Sequence, residues 1–112
     1  MSGVEPPPFS ISVERHDGHV VVTARGELDL ATASELEGAL VPVVSDGGHA
    51  VLDLRGLEFM DSTGVRVIVG AHLAAKEHGG RLSLVRLASG TPIQRVLEIS
   101  GLEGILDVVD DT

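Results

Sequence analysis

Strand-like and helical segments alternate along most of this sequence, and that alternation limits the possible fold more than any other feature. Residues 9–15 alternate apolar with polar side chains, and the turn signal Asp17-Gly18 separates them from a second strand-like segment, residues 19–26. Helical and strand patterns then follow one another, which is typical of a parallel sheet with right-handed crossovers. We therefore predict an α/β fold: a mixed, mostly parallel sheet that begins with a β-hairpin and is packed by helices.

The segment Ser62–His78 can be read in two ways. Its "VRVIV" run favours a strand, whereas "AHLAAKEH" favours a helix. Polar N-cap residues before the apolar run and the stop signal Gly79-Gly80 favour a single helix throughout. Five residues fall on one stripe along this predicted helix: Val65, Ile68, Val69, Leu73 and Lys76.

The other elements are assigned from apolar periodicity and from proline and glycine signals. A helix begins at Thr32 or Ala33, and Pro92 lies in the first turn of a later helix that ends before Gly101. The predicted strands after the hairpin are residues 50–54, 81–87 and 105–109.

Length and composition bound the organisation and the class of partner. The 112 residues fit one domain, which we place at residues 9–112, after a disordered or extended proline-rich tail at residues 1–8. The net charge of −9 and the scarcity of aromatic side chains argue against nucleic-acid binding. No apolar run approaches the roughly 18 residues of a membrane span, so we expect no direct membrane insertion and a cytoplasmic location.

Residue types that could bind a metal or perform catalysis are present but lack the necessary spacing. His72 and His78 are six residues apart on the predicted helix, whereas two ligands on one helical face need a spacing of four. The sequence contains no phosphate-binding glycine motif, and no nucleophile, base and orienting group can be named together. We therefore predict no metal site, no cofactor and no enzymatic activity.

Three polar residues precede the long predicted helix: Asp61, Ser62 and Thr63. Such residues are preferred N-caps, because their oxygens accept hydrogen bonds from free amides of the first turn. A helix N-terminus is also a favourable place for a phosphate. On residue chemistry alone, the triplet is first a cap and second a candidate modification site. Glu27 and Asp29 are likewise either a carboxylate pair or part of a polar loop.

Four motifs in a fixed order indicate a family. They are "GELDLATA" from Gly26, "VLDLRGLEFMDSTGV" from Val51, "HGGRLSLV" from His78 and "ISGLEGIL" from Ile99. Together they cover roughly residues 9–110, and the chain resembles a STAS domain of the anti-sigma factor antagonist family.

The resemblance implies a phosphorylation-controlled protein switch. The unmodified antagonist would bind an anti-sigma factor that has serine kinase activity, and so release the sigma factor. The kinase would phosphorylate Ser62, the residue directly after the motif aspartate, and a serine phosphatase would reset it. Ser62 would then act both as a helix cap and as the switch. The partner-binding residues implied by the resemblance are Asp29, Asp61, Ser62, Thr63, Gly64 and Arg66.

The sequence departs from the family pattern at two positions after the motif glycine. Val65 stands where leucine is usual, and Arg66 stands where a second glycine is common. Arg66 is one helical turn beyond Ser62, so it could pair with a phosphate there or influence the choice of partner.

Two alternatives remain open from sequence. Stand-alone STAS domains also resemble accessory subunits of membrane transport complexes, which bind an ATPase without being phosphorylated. A ligand or nucleotide sensor is a third possibility, although the sequence offers no dedicated pocket.

Overall fold

The computed structural model describes residues 9–112, and its fold is built on one mixed β-sheet. The strands are β1 Phe9–His16, β2 His19–Leu28, β3 His49–Met60, β4 Arg81–Val85 and β5 Asp107–Val109. Within the described residues their spatial order in the sheet is β1-β2-β3-β4-β5. β1 pairs with β2 in antiparallel fashion, and the other neighbours are parallel. The predicted α/β fold class is therefore confirmed, while the predicted tail at residues 1–8 lies outside the described residues.

The helices follow the predicted order with one addition. The ambiguous segment is one continuous helix, as predicted, and its last turn leads into Gly79, which adopts a left-handed conformation with φ 72°. A short helix before β5 was not predicted, and it shortens the expected last strand at its start. The helices are α1 Ala33–Ser45, α2 Ser62–His78, α3 Pro92–Ser100 and α4 Leu102–Ile105.

The buried face of α2 differs from the predicted stripe. Of the predicted residues only Ile68 is fully buried, and Leu73 is exposed. The buried side of α2 also carries Ala71 and Ala75, and it packs beside α1 over the sheet. Val65 and Val69 are half-buried and also pack against the core, so the prediction was correct for the first part of the stripe and wrong for Leu73 and Lys76, which are exposed. Small side chains face inward beyond Ile68 because they allow this helix to approach its neighbours closely.

The helices cover one face of the sheet. The main core cluster joins buried residues of every described helix to one side of the strands. A second cluster, formed by Val21, Val51 and Val85 with Val109 packed against them, consists of strand residues alone. None of the helices in residues 9–112 combines the length and apolar character that crossing a bilayer requires.

A polar row crosses the helix-free face of the sheet at the start of the parallel strands. The rings of His16 and His19 stack with their centroids 5.0 Å apart, and the His49 ring lies 6.1 Å from that of His19. His49 Nε2 is 2.7 Å from the Ser83 hydroxyl, which lies 3.4 Å from a carboxylate oxygen of Asp107. The row therefore connects all five strands of the described sheet.

Burial lowers the pKa of His49 below its ordinary value of 6.5, and the charge of Arg81 and the neighbouring His19 lower it further. Arg81 itself pairs with Asp107, so that carboxylate is already engaged. The unfolded chain therefore binds a proton at His49 more readily than the folded chain does. It follows that the free energy of unfolding decreases as the pH falls below about 6.5.

We predict that His49→Gln weakens this pH dependence, because a glutamine amide can still bond to Ser83 but does not titrate. Urea unfolding at several values between about pH 7.5 and about pH 5.5 measures the effect, in a window above the titration of most carboxylates. His72→Gln, on the helical side of the molecule, is the control. Its free energy of unfolding should change with pH as steeply as that of the wild type. If the free energy of unfolding changed with pH equally in His49→Gln and wild type, this role of His49 would be contradicted.

Candidate functional site

The candidate site lies at the carboxyl ends of β2 and β3. These strands are parallel, with Leu28 opposite Met60, and the amide of Asp61 donates to the carbonyl oxygen of Leu28 at 3.3 Å. The loop after β2, which contains Asp29, is thereby held beside the segment that contains Ser62. Carboxyl ends of parallel strands are the usual place for functional residues in α/β sheets.

Asp61 is the N-cap of α2. Its backbone is extended, and its carboxylate accepts from the Thr63 amide at 2.9 Å and from the Thr63 hydroxyl. The hydroxyl bond is the largest influence on the pKa of Asp61 and lowers it; burial opposes this, and the amides of Thr63 and Gly64 lower the pKa further. Asp61 is therefore ionised at neutral pH. The expectation that Ser62 also caps the helix was wrong, because the neighbouring carboxylate takes that position.

The two hydroxyls after Asp61 differ in accessibility. Ser62 is the first residue of α2 and is exposed, and within residues 9–112 no hydrogen bond reaches its hydroxyl. Thr63 is half-buried, and its hydroxyl is bound to Asp61. Only the serine therefore presents a free hydroxyl to an approaching protein.

Gly64 and Arg66 differ in exposure to solvent: the first is buried and the second is exposed. Gly64 is buried, and a Cβ atom there would lie 2.7 Å from Leu28 Cδ2 and 2.7 Å from Met60 Cγ. Gly64 thus lets α2 pack closely against the ends of β2 and β3, which places the exposed Ser62 beside the loop after β2. Arg66 is exposed one turn beyond Ser62 and forms no ion pair with another described residue.

Asp29 turns its carboxylate toward its own loop. Its Oδ1 accepts from the Ala31 amide at 3.0 Å and from the Thr32 hydroxyl at 3.3 Å. The Thr32 hydroxyl is also 3.0 Å from the carbonyl oxygen of Glu27 and accepts from the Asp29 amide at 2.9 Å. The site therefore combines a braced loop with a free serine.

An apolar groove of about 320 Å³ opens beside Ser62, between α2 and α3. Val65 and Val96 form part of its walls, and Ile99 at its rim is 78 % exposed. Sequence reasoning missed α3 as part of the site. The available signal was Ile99, an apolar residue that lies off the buried stripe formed by Ile93 and Leu97.

Metal binding has no support in the described part of the chain. Across residues 9–112, no three His, Asp or Glu side chains converge in a way that could hold a metal ion. The site is one of hydroxyl, carboxylate and apolar groups, which suits binding to another protein.

Comparison with known proteins agrees with this description. The family model described as "Mlab, STAS domain" matches residues 11–109. The anti-sigma-B factor antagonist of Bacillus subtilis (strain 168) is 32 % identical over 100 residues, which are 89 % of this chain and 90 % of that protein. A crystal structure of an anti-sigma factor antagonist from Mycobacterium paratuberculosis superposes with a TM-score of 0.77 at 29 % identity, covering 94 % of this chain and 89 % of the other.

A more distant structure shows the same fold in a modified protein. The Bacillus cell fate determinant SpoIIAA in its phosphorylated form gives a TM-score of 0.66 at 22 % identity, covering 89 % of this chain and 91 % of that one. The fold is thus that of a STAS domain. The chain belongs to the anti-sigma factor antagonist family of STAS domains, as the sequence motifs indicated, and the prediction of a non-enzymatic regulator is confirmed.

We predict that Gly64→Ala lowers the free energy of unfolding by about 1–3 kcal/mol, because the added methyl group overpacks the contact with Leu28 and Met60. Gly70→Ala is the matched control on the same helix, since a Cβ atom there meets nothing within 4 Å. It should be neutral or stabilising by up to about 1 kcal/mol, through helix propensity. Urea unfolding compares the two. Equal stability of both variants would contradict the close packing at Gly64.

Proposed function

We propose that this chain binds an anti-sigma factor through the face around Ser62, and that phosphorylation of Ser62 ends the binding. The observation that carries the proposal is the free, exposed Ser62 hydroxyl at the start of α2. The family relationship supports it, since a Bacillus subtilis relative is an anti-sigma-B factor antagonist by name. The sigma factor would be released when the antagonist occupies the anti-sigma factor.

Local chemistry favours Ser62 over Thr63 as the phosphoacceptor. To be phosphorylated, Thr63 would have to give up its hydrogen bond to Asp61 and leave a half-buried position. Ser62 needs neither change. The first turn of α2 would also accommodate the product, because free amides and the helix dipole stabilise a phosphate at an N-terminus.

Phosphorylation would change the charge of the face without unfolding it. The phosphate adds about −1.5 to −2 charges next to Asp61, which is already ionised. If an acidic group of the partner faces Ser62, the like-charge contact costs several kcal/mol. A complex with a micromolar Kd has only about 8 kcal/mol of binding free energy, so a cost of that size would dissociate most of it.

The finer features of the partners belong to the same proposal. We infer that the anti-sigma factor is itself the serine kinase, and that a serine phosphatase restores the unmodified form. A cytoplasmic location follows from this function, because an anti-sigma factor acts where transcription takes place. The competing proposal is an accessory subunit of a membrane transport complex, and it predicts partner binding without phosphorylation.

Arg66 is placed where its side chain could reach a phosphate on Ser62. Its guanidinium is free of ion pairs with other described residues and lies one helical turn from Ser62. A charge-assisted bond from an arginine to a phosphate is stronger than one between neutral groups. We propose that Arg66 contacts the phosphate of the modified protein.

We predict that incubation with a cognate anti-sigma factor kinase and ATP adds about 80 Da, one phosphoryl group, to the peptide containing Ser62. Mass spectrometry of the intact and digested protein measures this. Ser62→Ala should abolish the label, because the only free hydroxyl of the motif is removed.

Thr63→Ala is the matched control and should still be labelled at Ser62. Label that persists in Ser62→Ala at Thr63 would overturn the choice of acceptor. A chain that binds its partner and takes up no phosphate from any kinase of the same organism would favour the transport subunit.

We predict that Arg66→Gln raises the second pKa of the Ser62 phosphate, ordinarily about 6, because a nearby positive charge favours the doubly ionised form. Phosphorus NMR of the phosphorylated proteins over a pH series measures it. Glutamine keeps the helix propensity close to that of arginine. Lys76→Gln, further along the same helix, should leave the phosphate pKa unchanged, and an unchanged value in Arg66→Gln would assign Arg66 to the ordinary surface.

A further inference from the structure

The loop between β2 and α1 holds a leucine out into solvent beside the proposed switch. Leu30 is 81 % exposed, more than any other large apolar residue of the described chain. It lies at the tip of the loop, directly after Asp29. The loop leaves the end of β2, where the carbonyl of Leu28 accepts from the Asp61 amide, so the loop and the phosphoacceptor segment are joined.

The loop is closely braced on both sides of Leu30. Besides the bonds of its carboxylate, Asp29 accepts at its carbonyl oxygen from the amides of Thr32 and Ala33, at 3.1 and 2.8 Å. The Thr32 hydroxyl links the start of the loop, at the Glu27 carbonyl, to its end. These bonds fix the backbone on either side of the leucine, so its Cα position is set before any partner arrives.

An exposed leucine by itself is ordinary, since much of any protein surface is apolar. Here hydrogen bonds fix the backbone on both sides of the leucine while its side chain stays exposed, and the loop is bonded to the segment that contains Ser62. Other apolar side chains are exposed at the same end of the sheet, including Phe59 at 47 % and Ile99 at 78 %. Because the backbone around Leu30 is already fixed, binding would cost little further backbone entropy, which favours its use as an anchor.

We propose that Leu30 is an apolar anchor that inserts into a pocket of the anti-sigma factor, and that Asp29 is a positioning residue that presents it. This inference rests on the proposed function. The partner pocket should be apolar, because it would enclose a leucine side chain that is now in contact with water. Asp29 then acts through its hydrogen bonds to the loop, and its charge is secondary.

The position of the anchor also explains how one phosphate could end binding. Leu30 and Ser62 extend from neighbouring, hydrogen-bonded ends of β2 and β3. The partner cannot seat the leucine without also approaching the serine. A phosphate that repels the partner at Ser62 would therefore also remove Leu30 from the partner pocket.

Calorimetric titration tests the anchor, with the anti-sigma factor that binds the wild-type chain in a purified panel from the same organism. Leu30→Ala should raise Kd at least about tenfold, because the variant loses the burial of a whole leucine side chain in the partner pocket. Leu73→Ala, which truncates an exposed leucine on α2, is the matched control and should bind like wild type. Leu30→Ala should unfold like wild type in urea, since the side chain makes no core contact.

Two substitutions at Asp29 separate positioning from charge. Asp29→Asn keeps an oxygen acceptor for Ala31 and Thr32 and removes the charge, so it should bind within about threefold of wild type. Asp29→Ala removes the acceptor and should weaken binding about as much as Leu30→Ala. Thr32→Val removes the bracing hydroxyl at nearly constant volume and should weaken binding in the same direction.

Each contrary result has a distinct meaning. Wild-type affinity in Leu30→Ala would overturn the anchor and leave the proposed function standing. Equal losses in Asp29→Asn and Asp29→Ala would overturn the positioning role, because a charged contact would then explain both. Failure of the wild-type chain to bind any anti-sigma factor of the panel would overturn the proposed function itself.

Discussion

The parallel pairing of β2 with β3 is the constraint on which the functional surface depends. It brings two segments that are about thirty residues apart in sequence to the same edge of the sheet, and the bond from the Asp61 amide to the Leu28 carbonyl holds them there. Gly64 allows α2 to begin directly against this junction, since a larger residue would collide with Leu28 and Met60. The surface that a partner meets is therefore supported by core packing, and it does not depend on flexible loops.

The proposed phosphorylation of Ser62 would give this surface two states of similar structure and different charge. The Asp61 carboxylate is fixed by Thr63, which leaves Ser62 as the free hydroxyl. A phosphate there would be stabilised by the first turn of the helix and repelled by Asp61. Under the proposed function, the folded protein would carry the phosphate, and a partner with an acidic group opposite Ser62 would not bind it. Such a switch needs no large conformational change in the antagonist.

The fold could be predicted from sequence wherever periodicity was long enough to be clear. The hairpin, the parallel strands and the continuous helix α2 were predicted, whereas the four residues of α4 are too few to show a helical period. The second half of the buried face of α2 was missed because close packing there selects small residues, Ala71 and Ala75, whereas the pattern of large apolar residues pointed to Leu73.

The motif of the candidate site could be predicted from the sequence, whereas the residues that surround the motif in space could not. Asp61 and Ser62 are adjacent in sequence, so a motif can identify them. The bracing of the loop by Asp29 and Thr32 depends on side-chain directions that the sequence does not state. In the sequence, Leu30 and Ile99 are apolar residues of the same types that form the core. Only the three-dimensional arrangement shows that they face solvent.

The central claim is that one phosphate on Ser62 separates a binding form from a non-binding form of the same folded protein. Calorimetric titration of one anti-sigma factor with the unmodified protein and with protein fully phosphorylated at Ser62 tests it most directly. The unmodified form should bind with the lower Kd, by at least about a hundredfold, as expected for a like-charge contact of several kcal/mol. Equal affinities, or tighter binding of the phosphorylated form, would contradict the account.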